Sequence, residues 1–236
     1  MMALIYFQQA MIFTKKSKMI MATFLISTYL VLMIQSPFLT GLPERLINQE
    51  TMSFELLFEM ITLYKVSSLL LCIFLTYYIF YKNPCDILLI QRSSRLKVYY
   101  SKVLIGFFVL MGHTLIYMAI YLIIAHLLSI PVTSNIGLKT LISISLFTLF
   151  YYQLMIFAIE ITQHLLSLLL VFILSNVSNI LIDTFIEIET ISYYKRLYIM
   201  VFPNVHSLID HPITFLMNPF YLVIYTLLIH GASLIF

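Results

Sequence analysis

The chain has few charged residues, few glycines, two cysteines and no tryptophan. Asp, Glu, Lys and Arg together make up 10% of the 236 residues, whereas hydrophobic residues make up 62%. A soluble globular domain is nearer half apolar and a quarter charged. Because the surplus of apolar surface has to face lipid, the composition predicts a membrane protein and excludes an ordinary soluble domain.

Several sequence signatures of catalysis and cofactor binding are missing. None of the five glycines begins a GxxxxGK[ST] phosphate loop, so the chain is not expected to hold ATP by that route. Paired CxxC and HExxH metal spacings are absent too. Cys72 lies in an apolar run and Cys85 in a basic segment, so no disulfide is expected. His206, Asp210 and His211 are close in sequence, and we interpret them as solvated loop residues rather than a surface metal site.

Apolar runs of about twenty residues are typical of transmembrane helices. Six such runs predict an all-α polytopic membrane protein with a single transmembrane domain over residues 1–236. The prolines support the limits of the runs, because all but Pro219 fall between them, where no helix interior is broken. The predicted spans cover about residues 19–35, 61–81, 103–128, 141–159, 165–182 and 215–236.

The distribution of Lys and Arg predicts the orientation, because short loops rich in these residues stay in the cytoplasm. With the N-terminus inside, the cytoplasmic segments carry eight of them and the outer segments four. We therefore expect both termini in the cytoplasm and residues 183–214 outside. Lys65 falls one turn inside the outer end of the second span, so its amine is expected to reach outward to water.

Two segments outside the spans are themselves apolar. Residues 1–13 are too short to span and precede a basic cluster, which favours a helix in the inner membrane interface over a frayed tail. Residues 183–214 join the last two spans and are about half apolar. Because long unstructured loops are uncommon, we expect short helices there that dip into the outer leaflet or cap the bundle.

The segment 82–102, KNPCDILLIQRSSRLKVYYSK, is the only long basic segment of the chain. Its charges place it in the cytoplasm, and its interior contains four consecutive large apolar residues at positions 87–90. A solvated linker does not need such a run, whereas a short helix at the membrane surface or in a partner's groove does. We therefore expect this segment to bind a soluble partner.

Several spans carry polar side chains, including Tyr151, Tyr152, Gln153 and Glu160 on the fourth, and those on the third and fifth recur at helical spacing. Intramembrane polar groups avoid lipid and face the bundle or a wet path. Such groups line a substrate pathway or dimer seam in one interpretation, and in the other they form interhelical hydrogen bonds worth about 1 kcal/mol or less each. The pathway candidates are His113, Tyr117 and Tyr121 on the third span and Asn176, Asn179 and Asp183 on the fifth.

Together these features resemble the membrane subunit of a type-2 ATP-binding-cassette (ABC) exporter. That family has an interfacial N-terminal helix, six spans, a cytoplasmic loop between spans two and three that docks on the ATPase, and a re-entrant outer element between spans five and six. Its docking loop has an acid, three leucines, a Pro, a Ser-Arg pair and a Gly-Lys that opens span three. The residues that match this pattern are, in order, Asp86, Ile87, Leu88, Leu89, Ser94, Arg95 and Lys102.

Two departures from the pattern mark a divergent member, since Arg92 stands where Pro is usual and Ser101 where Gly is usual. The resemblance implies a dimer of permease subunits, identical or paired with a sister subunit, above separate ATPase subunits that hold ATP and Mg. This chain would then be neither an enzyme nor the carrier of a cofactor, and no nucleic-acid partner is expected. The implied coupling residues are Pro84, Asp86, Ile87, Leu88, Leu89, Arg92, Ser94, Arg95 and Lys102.

The cargo expected from the resemblance is an amphiphile, such as a peptide, toxin, antibiotic or lipid-like molecule. Residue choice rich in Ile, Leu, Tyr and Lys is typical of a low-GC bacterium, so the expected location is a bacterial cell membrane. Two other classes remain open. A membrane immunity or assembly protein would need no basic docking helix. An intramembrane metal enzyme would need paired Glu and His at mid-membrane, but Glu55 and Glu59 lie at an outer edge and His113 has no clear partner.

Overall fold

The computed structural model of the protein describes residues 18, 19, 22, 23, 25, 26, 29, 49–81, 94–127, 134–184 and 231. This part of the chain is almost entirely helical. Helix α1 comprises Gln49–Thr76 and continues as a π-helical turn, Tyr77–Tyr81. Helix α2 comprises Arg95–Leu127, α3 comprises Ser134–Thr162 and α4 comprises Leu166–Thr184.

Three of these helices have the length and apolar composition of membrane-spanning segments. They are Leu63–Tyr81, Arg95–His126 and Thr140–Thr162, and they coincide with the second, third and fourth predicted spans. A shorter apolar stretch, Leu166–Asn176, lies in the predicted fifth span. The described part of the chain therefore has the character of a membrane protein.

The helices extend beyond the apolar runs from which the spans were predicted. Helix α2 begins at Arg95 rather than near residue 103, so the end of the basic segment is helical. Helix α3 begins at Ser134 rather than near residue 141. An apolar run marks only the part of a helix that can face lipid. The helical hydrogen bonds of the backbone continue beyond that run for as long as the residues allow them.

The core lies between α1, α2 and α3, and α4 packs on α3 and touches α1. Ser67 contacts His113, and further along α1 Phe80 contacts Tyr99, so α1 and α2 run antiparallel. Large aromatic side chains dominate the interior. The tyrosines that are fully buried are Tyr64, Tyr99, Tyr121, Tyr151 and Tyr152.

Helices α2 and α3 approach closely at Gly106. A Cβ atom at this position would overlap the hydroxyl and Cζ of Tyr152 on α3. Small residues permit such close packing between membrane helices. Because Gly106 lies against Tyr152 while Thr114 and Thr148 share a partner further along, α2 and α3 also run antiparallel.

A three-residue turn joins α3 to α4. Gln163 has a φ of 52°, and its N–H donates to the carbonyl of Ile159 at 2.8 Å. A left-handed residue bonded in this way is a common end of a helix. The N–H and hydroxyl of Ser167 both donate to the carbonyl of His164, at 3.1 and 2.7 Å. The short turn makes α3 and α4 antiparallel neighbours.

Other predicted elements fall largely outside the described residues. They include the interfacial helix (residues 1–13), the centre of the docking segment (82–93) and most of the outer element (185–214). The described residues of the first predicted span are helical, and Leu25 and Tyr29 pack on the core. Gly231, from the sixth, is helical, and a Cβ there would lie 3.1 Å from Cε2 of Phe157 on α3.

Candidate functional site

Hydroxyl side chains join α1, α2 and α3 inside the core. The hydroxyl of Tyr64 lies 2.6 Å from Oγ1 of Thr114 and 2.7 Å from Oγ1 of Thr148. The Thr114 hydroxyl also donates to the carbonyl of Leu110 at 3.0 Å, and that of Thr148 to the carbonyl of Ile144 at 2.7 Å. All three hydroxyl side chains are buried. We call Tyr64, Thr114 and Thr148 the hydroxyl triad.

The hydroxyl triad has fewer hydrogens than contacts. Each hydroxyl carries one hydrogen, whereas the three groups make two contacts with each other and two with carbonyls. Three hydrogens therefore serve four contacts, and at any moment one contact has no hydrogen of its own. The hydroxyls can exchange donor and acceptor roles by rotating about their C–O bonds, without movement of the helices.

His113 lies beside the triad, with a hydroxyl group at each ring nitrogen. The Tyr29 hydroxyl is 2.8 Å from Nδ1, and Oγ of Ser67 is 3.3 Å from Nε2. Ser67 donates its single hydrogen to the carbonyl of Tyr64 at 2.9 Å. Ser67 therefore accepts from Nε2, and in a neutral imidazole Nδ1 then accepts from Tyr29, which is the Nε2–H tautomer. Both partners are hydroxyl groups, not the Glu or second His that an intramembrane metal site would need.

Aromatic rings fix the orientation of the imidazole. The rings of Tyr64 and His113 are stacked, with centroids 5.5 Å apart and an interplanar angle of 15°. Tyr117 meets Tyr64 edge to face at 4.8 Å, and Tyr29 lies with its centroid 5.8 Å from that of His113. Rings in contact prefer such offset or edge-to-face arrangements. The imidazole is therefore held by ring packing as well as by its two hydrogen bonds.

The cluster lies near the middle of the longest described helix. Helix α2 has 33 residues, and His113 is 18 residues from Arg95 and 14 from Leu127. Polar groups at this depth of a membrane bundle face its interior and often mark a functional path. The hydroxyl triad and the Tyr29–His113–Ser67 contacts together form the candidate functional site.

Lys65 is buried, which corrects the expectation that its amine reaches outward. Its side chain is 2% exposed, and Nζ donates to the carbonyl of Ser175 on α4 at 3.0 Å. Helix α1 begins at Gln49, sixteen residues before Lys65. The side chain is therefore about 24 Å from the helix end and cannot extend beyond it. Lys65 instead links α1 to α4, the second predicted span to the fifth.

Lys102 was expected at the end of the cytoplasmic segment, where the third span opens. It lies inside α2 and is fully buried, with Nζ 5.3 Å from the centroid of the Phe80 ring, the distance of a cation–π contact. Ser94 and Arg95 are exposed where α2 begins. The other implied coupling residues lie outside the described part of the chain, and these are Pro84, Asp86, Ile87, Leu88, Leu89 and Arg92.

The pathway candidates lie on two helices. Three are on the buried face of α2, and three are on α4. Tyr117 and Tyr121 are each 2% exposed and follow His113 along α2. Asn176 is half-buried, and its Nδ2 donates to the carbonyl of Phe172 at 2.8 Å. Asn176 therefore has a hydrogen-bond partner within its own helix. Asn179 and Asp183 lie on α4, and their side chains are outside the described part.

The residues of the hydroxyl triad, and Ser67 beside it, were not among the candidates predicted from the sequence. A signal for Tyr64 was present in α1, where polar side chains recur every four residues and are all buried. That series comprises Tyr64, Ser68, Cys72 and Thr76. A four-residue repeat places side chains on one helix face, so the buried face of α1 could have been recognised as polar.

The described residues include no group of three or more His, Cys, Asp or Glu side chains that could hold a metal ion. The cluster instead offers neutral hydroxyl and imidazole groups, which bind water or polar ligands and can pass hydrogen bonds between helices. The features that bear on function are therefore this geometry and the sequence pattern. Comparisons of the chain with models of known protein families, with curated proteins and with solved structures find no match.

Proposed function

We propose that the chain is the membrane-spanning permease subunit of an ATP-driven exporter of the type-2 ABC kind. It moves an amphiphilic substrate, such as a peptide, toxin, antibiotic or lipid-like molecule, and a separate ATPase subunit supplies the energy. The observation that carries this proposal is the basic segment 82–102, with its apolar interior at positions 87–90. Such a segment suits a helix that lies in the groove of a soluble partner.

The start of α2 supports a docking role for this segment. Ser94, Arg95 and Lys97 are exposed, and the apolar side chain of Leu96 is 49% exposed. Helix α2 then continues without a break to His113 and beyond. A partner that displaces the docking segment would therefore move a helix that enters the polar core.

The proposed assembly contains two permease subunits, either identical or paired with a sister chain, in a bacterial cell membrane. Both termini of this chain lie in the cytoplasm, on the same side as the ATPase. ATP and Mg bind to the partner. ATP binding draws two ATPase subunits together, and the docking segments pass that movement to the spans.

The docking assignment is tested by changing Leu88 and Leu89 together to Asp. Charges in the apolar interior should weaken the partner contact, because a charged group in an apolar groove loses its hydration. The complex is purified from its native membrane, and ATP hydrolysis is measured for each milligram of permease. We expect the double variant to lose most of this ATPase activity while its amount in the membrane is unchanged.

A matched control changes Gln91 and Ser93 together to Asp, which adds the same charge to the same segment and keeps its apolar interior. This control should retain the ATPase activity. An unchanged complex in the Leu88→Asp, Leu89→Asp variant would contradict the docking assignment. Purified wild-type complex without any ATP hydrolysis would favour the immunity or assembly class instead.

A further inference from the structure

Five buried polar atoms in the described part of the chain have no hydrogen-bond partner there. Each belongs to a side chain that is more than nine-tenths buried, between 0% and 6% exposed. Buried polar groups are normally bonded to protein or to ordered water, so each such atom requires an explanation. The atoms are Oγ1 of Thr76, the hydroxyl of Tyr121, Oγ1 of Thr140, the hydroxyl of Tyr152 and Oε1 of Gln153.

Three of these atoms lie on the Arg95 side of the hydroxyl triad. Tyr152 and Gln153 follow Thr148 by about one turn of α3, and Tyr152 packs against Gly106 of α2. Ser67 pairs with His113 and Phe80 with Tyr99. In this antiparallel register, Thr76 of α1 falls level with the part of α2 around Gly106. We call Thr76, Tyr152 and Gln153 the inner layer.

The other two atoms lie on the opposite side of the triad. Tyr121 follows Thr114 by seven residues on α2, and Thr140 precedes Thr148 by eight residues on α3. Thr114 and Thr148 both bond to Tyr64, so they lie at one level. Because α2 and α3 are antiparallel, Tyr121 and Thr140 also lie at nearly one level, about 11 Å beyond the triad. We call Tyr121 and Thr140 the outer layer.

The inner layer, the central cluster and the outer layer follow one another along the core. On α3 the series extends over thirteen residues from Thr140 to Gln153, or about 20 Å. The hydrocarbon core of a bilayer is about 30 Å thick. Polar sites therefore line about two thirds of a membrane crossing, within the interior of α1, α2 and α3 and separate from the contact between Lys65 and α4.

We propose that water molecules bind at the inner and outer layers and, with the hydroxyl triad and His113 between them, form a hydrated thread through the core. Water fits this set because it donates and accepts at once, as the Thr and Tyr hydroxyls require, and it can donate to Oε1 of Gln153. An apolar ligand would leave all five atoms unbonded. The inference does not rest on the exporter proposal, because water can occupy a helical bundle of any function.

The first test measures whether the loss of one of these hydroxyls lowers or raises the thermal stability of the full chain in lipid nanodiscs. Tyr152→Phe and Thr76→Val each remove one hydroxyl with little change of shape. If the hydroxyl is bonded to water, its loss removes a hydrogen bond, and the midpoint of thermal unfolding should fall by about 2 °C or more. If the hydroxyl is dry, its loss removes a buried unbonded group, and the midpoint should stay or rise, which overturns the proposal.

The second test detects water directly in the unmodified protein. Brief X-ray radiolysis in heavy-oxygen water labels side chains that lie next to bound water, and mass spectrometry locates the label. After correction for the higher intrinsic reactivity of tyrosine, we expect Tyr152 and Tyr121 to be labelled several-fold faster than Phe108, an apolar side chain that is 59% exposed on α2. Labelling of the two tyrosines no faster than Phe108 would overturn the proposal, whatever the stability measurement shows.

Discussion

Tyr64 joins α1, α2 and α3 through hydrogen bonds. Its hydroxyl contacts Thr114 and Thr148, while its ring packs on His113 and Tyr117. At such a position, the burial of the aromatic ring and its packing contacts contribute most of the stabilising free energy. The hydroxyl contributes less, since interhelical hydrogen bonds in membranes average about 0.6 kcal/mol. Its main effect is to fix the register of three helices.

A double-mutant cycle on Tyr64→Phe and Thr148→Val measures this contribution. Each single change should destabilise the protein by about 1 kcal/mol, because a bonded hydroxyl is lost. The coupling energy between the two should be about 0.6–1.7 kcal/mol, since both changes remove the same contact. Reversible unfolding in mixed micelles gives the free energies. Effects that simply add would show that the Tyr64–Thr148 bond is not formed in the membrane.

At the scale of helices, the contact between α2 and α3 depends on the missing side chain of Gly106. Tyr152 is fully buried and occupies the space that a Cβ atom would take. Gly112 lies on the same helix, and a Cβ there would meet no atom within 4 Å. The two glycines therefore form a matched pair, one required by packing and the other not.

Gly106→Ala should destabilise the protein by about 1–3 kcal/mol, because overpacking forces the helices or Tyr152 to move. Gly112→Ala should leave stability unchanged or raise it by up to about 1 kcal/mol through helix propensity. Thermal unfolding of both variants in the same detergent checks the difference. Tyr152→Phe should not rescue Gly106→Ala, since the added Cβ would also overlap Cζ. Equal stability of the two alanine variants would contradict this account of the contact.

The helices were predictable from the sequence, but their ends and mutual contacts were not. Apolar runs located α1 to α4, because lipid requires about twenty apolar residues in succession. They could not show that α1 begins as early as Gln49, and the position of Lys65 was therefore misjudged. The partners of His113 come from two other helices. Such contacts depend on how the helices are rotated and staggered, which the periodicity of one helix does not specify.

At the scale of the whole molecule, the orientation in the membrane remains a prediction from the loop charges. Single cysteines at Ser17, Thr133 and Ser207 test it, in a background where Cys72 and Cys85 are replaced. Cys72 is a buried free thiol that donates to the carbonyl of Thr148 at 3.8 Å, so the folding of the Cys72 replacement is checked before labelling.

With both termini in the cytoplasm, an impermeant thiol reagent added to intact cells should label the cysteines at positions 133 and 207 and leave position 17 unlabelled. The expectation follows from the retention of Lys-rich and Arg-rich loops on the cytoplasmic side. Permeabilised cells, in which all three positions should react, provide the control. Labelling at position 17 alone would reverse the orientation, and with it the placement of the docking segment.

The length of α2 has a mechanical consequence. Its 33 residues make a rod of about 48 Å, longer than the hydrocarbon core of about 30 Å. His113 lies near its midpoint and is hydrogen-bonded to two neighbouring helices, so it is a natural pivot for tilting of α2. A tilt of about 5° around this point shifts the Arg95 end by about 2 Å and moves Thr114, one residue from the pivot, by much less than 1 Å. A tilt of α2 about His113 therefore moves both ends of the helix while the hydrogen bonds of His113 at its centre stay intact.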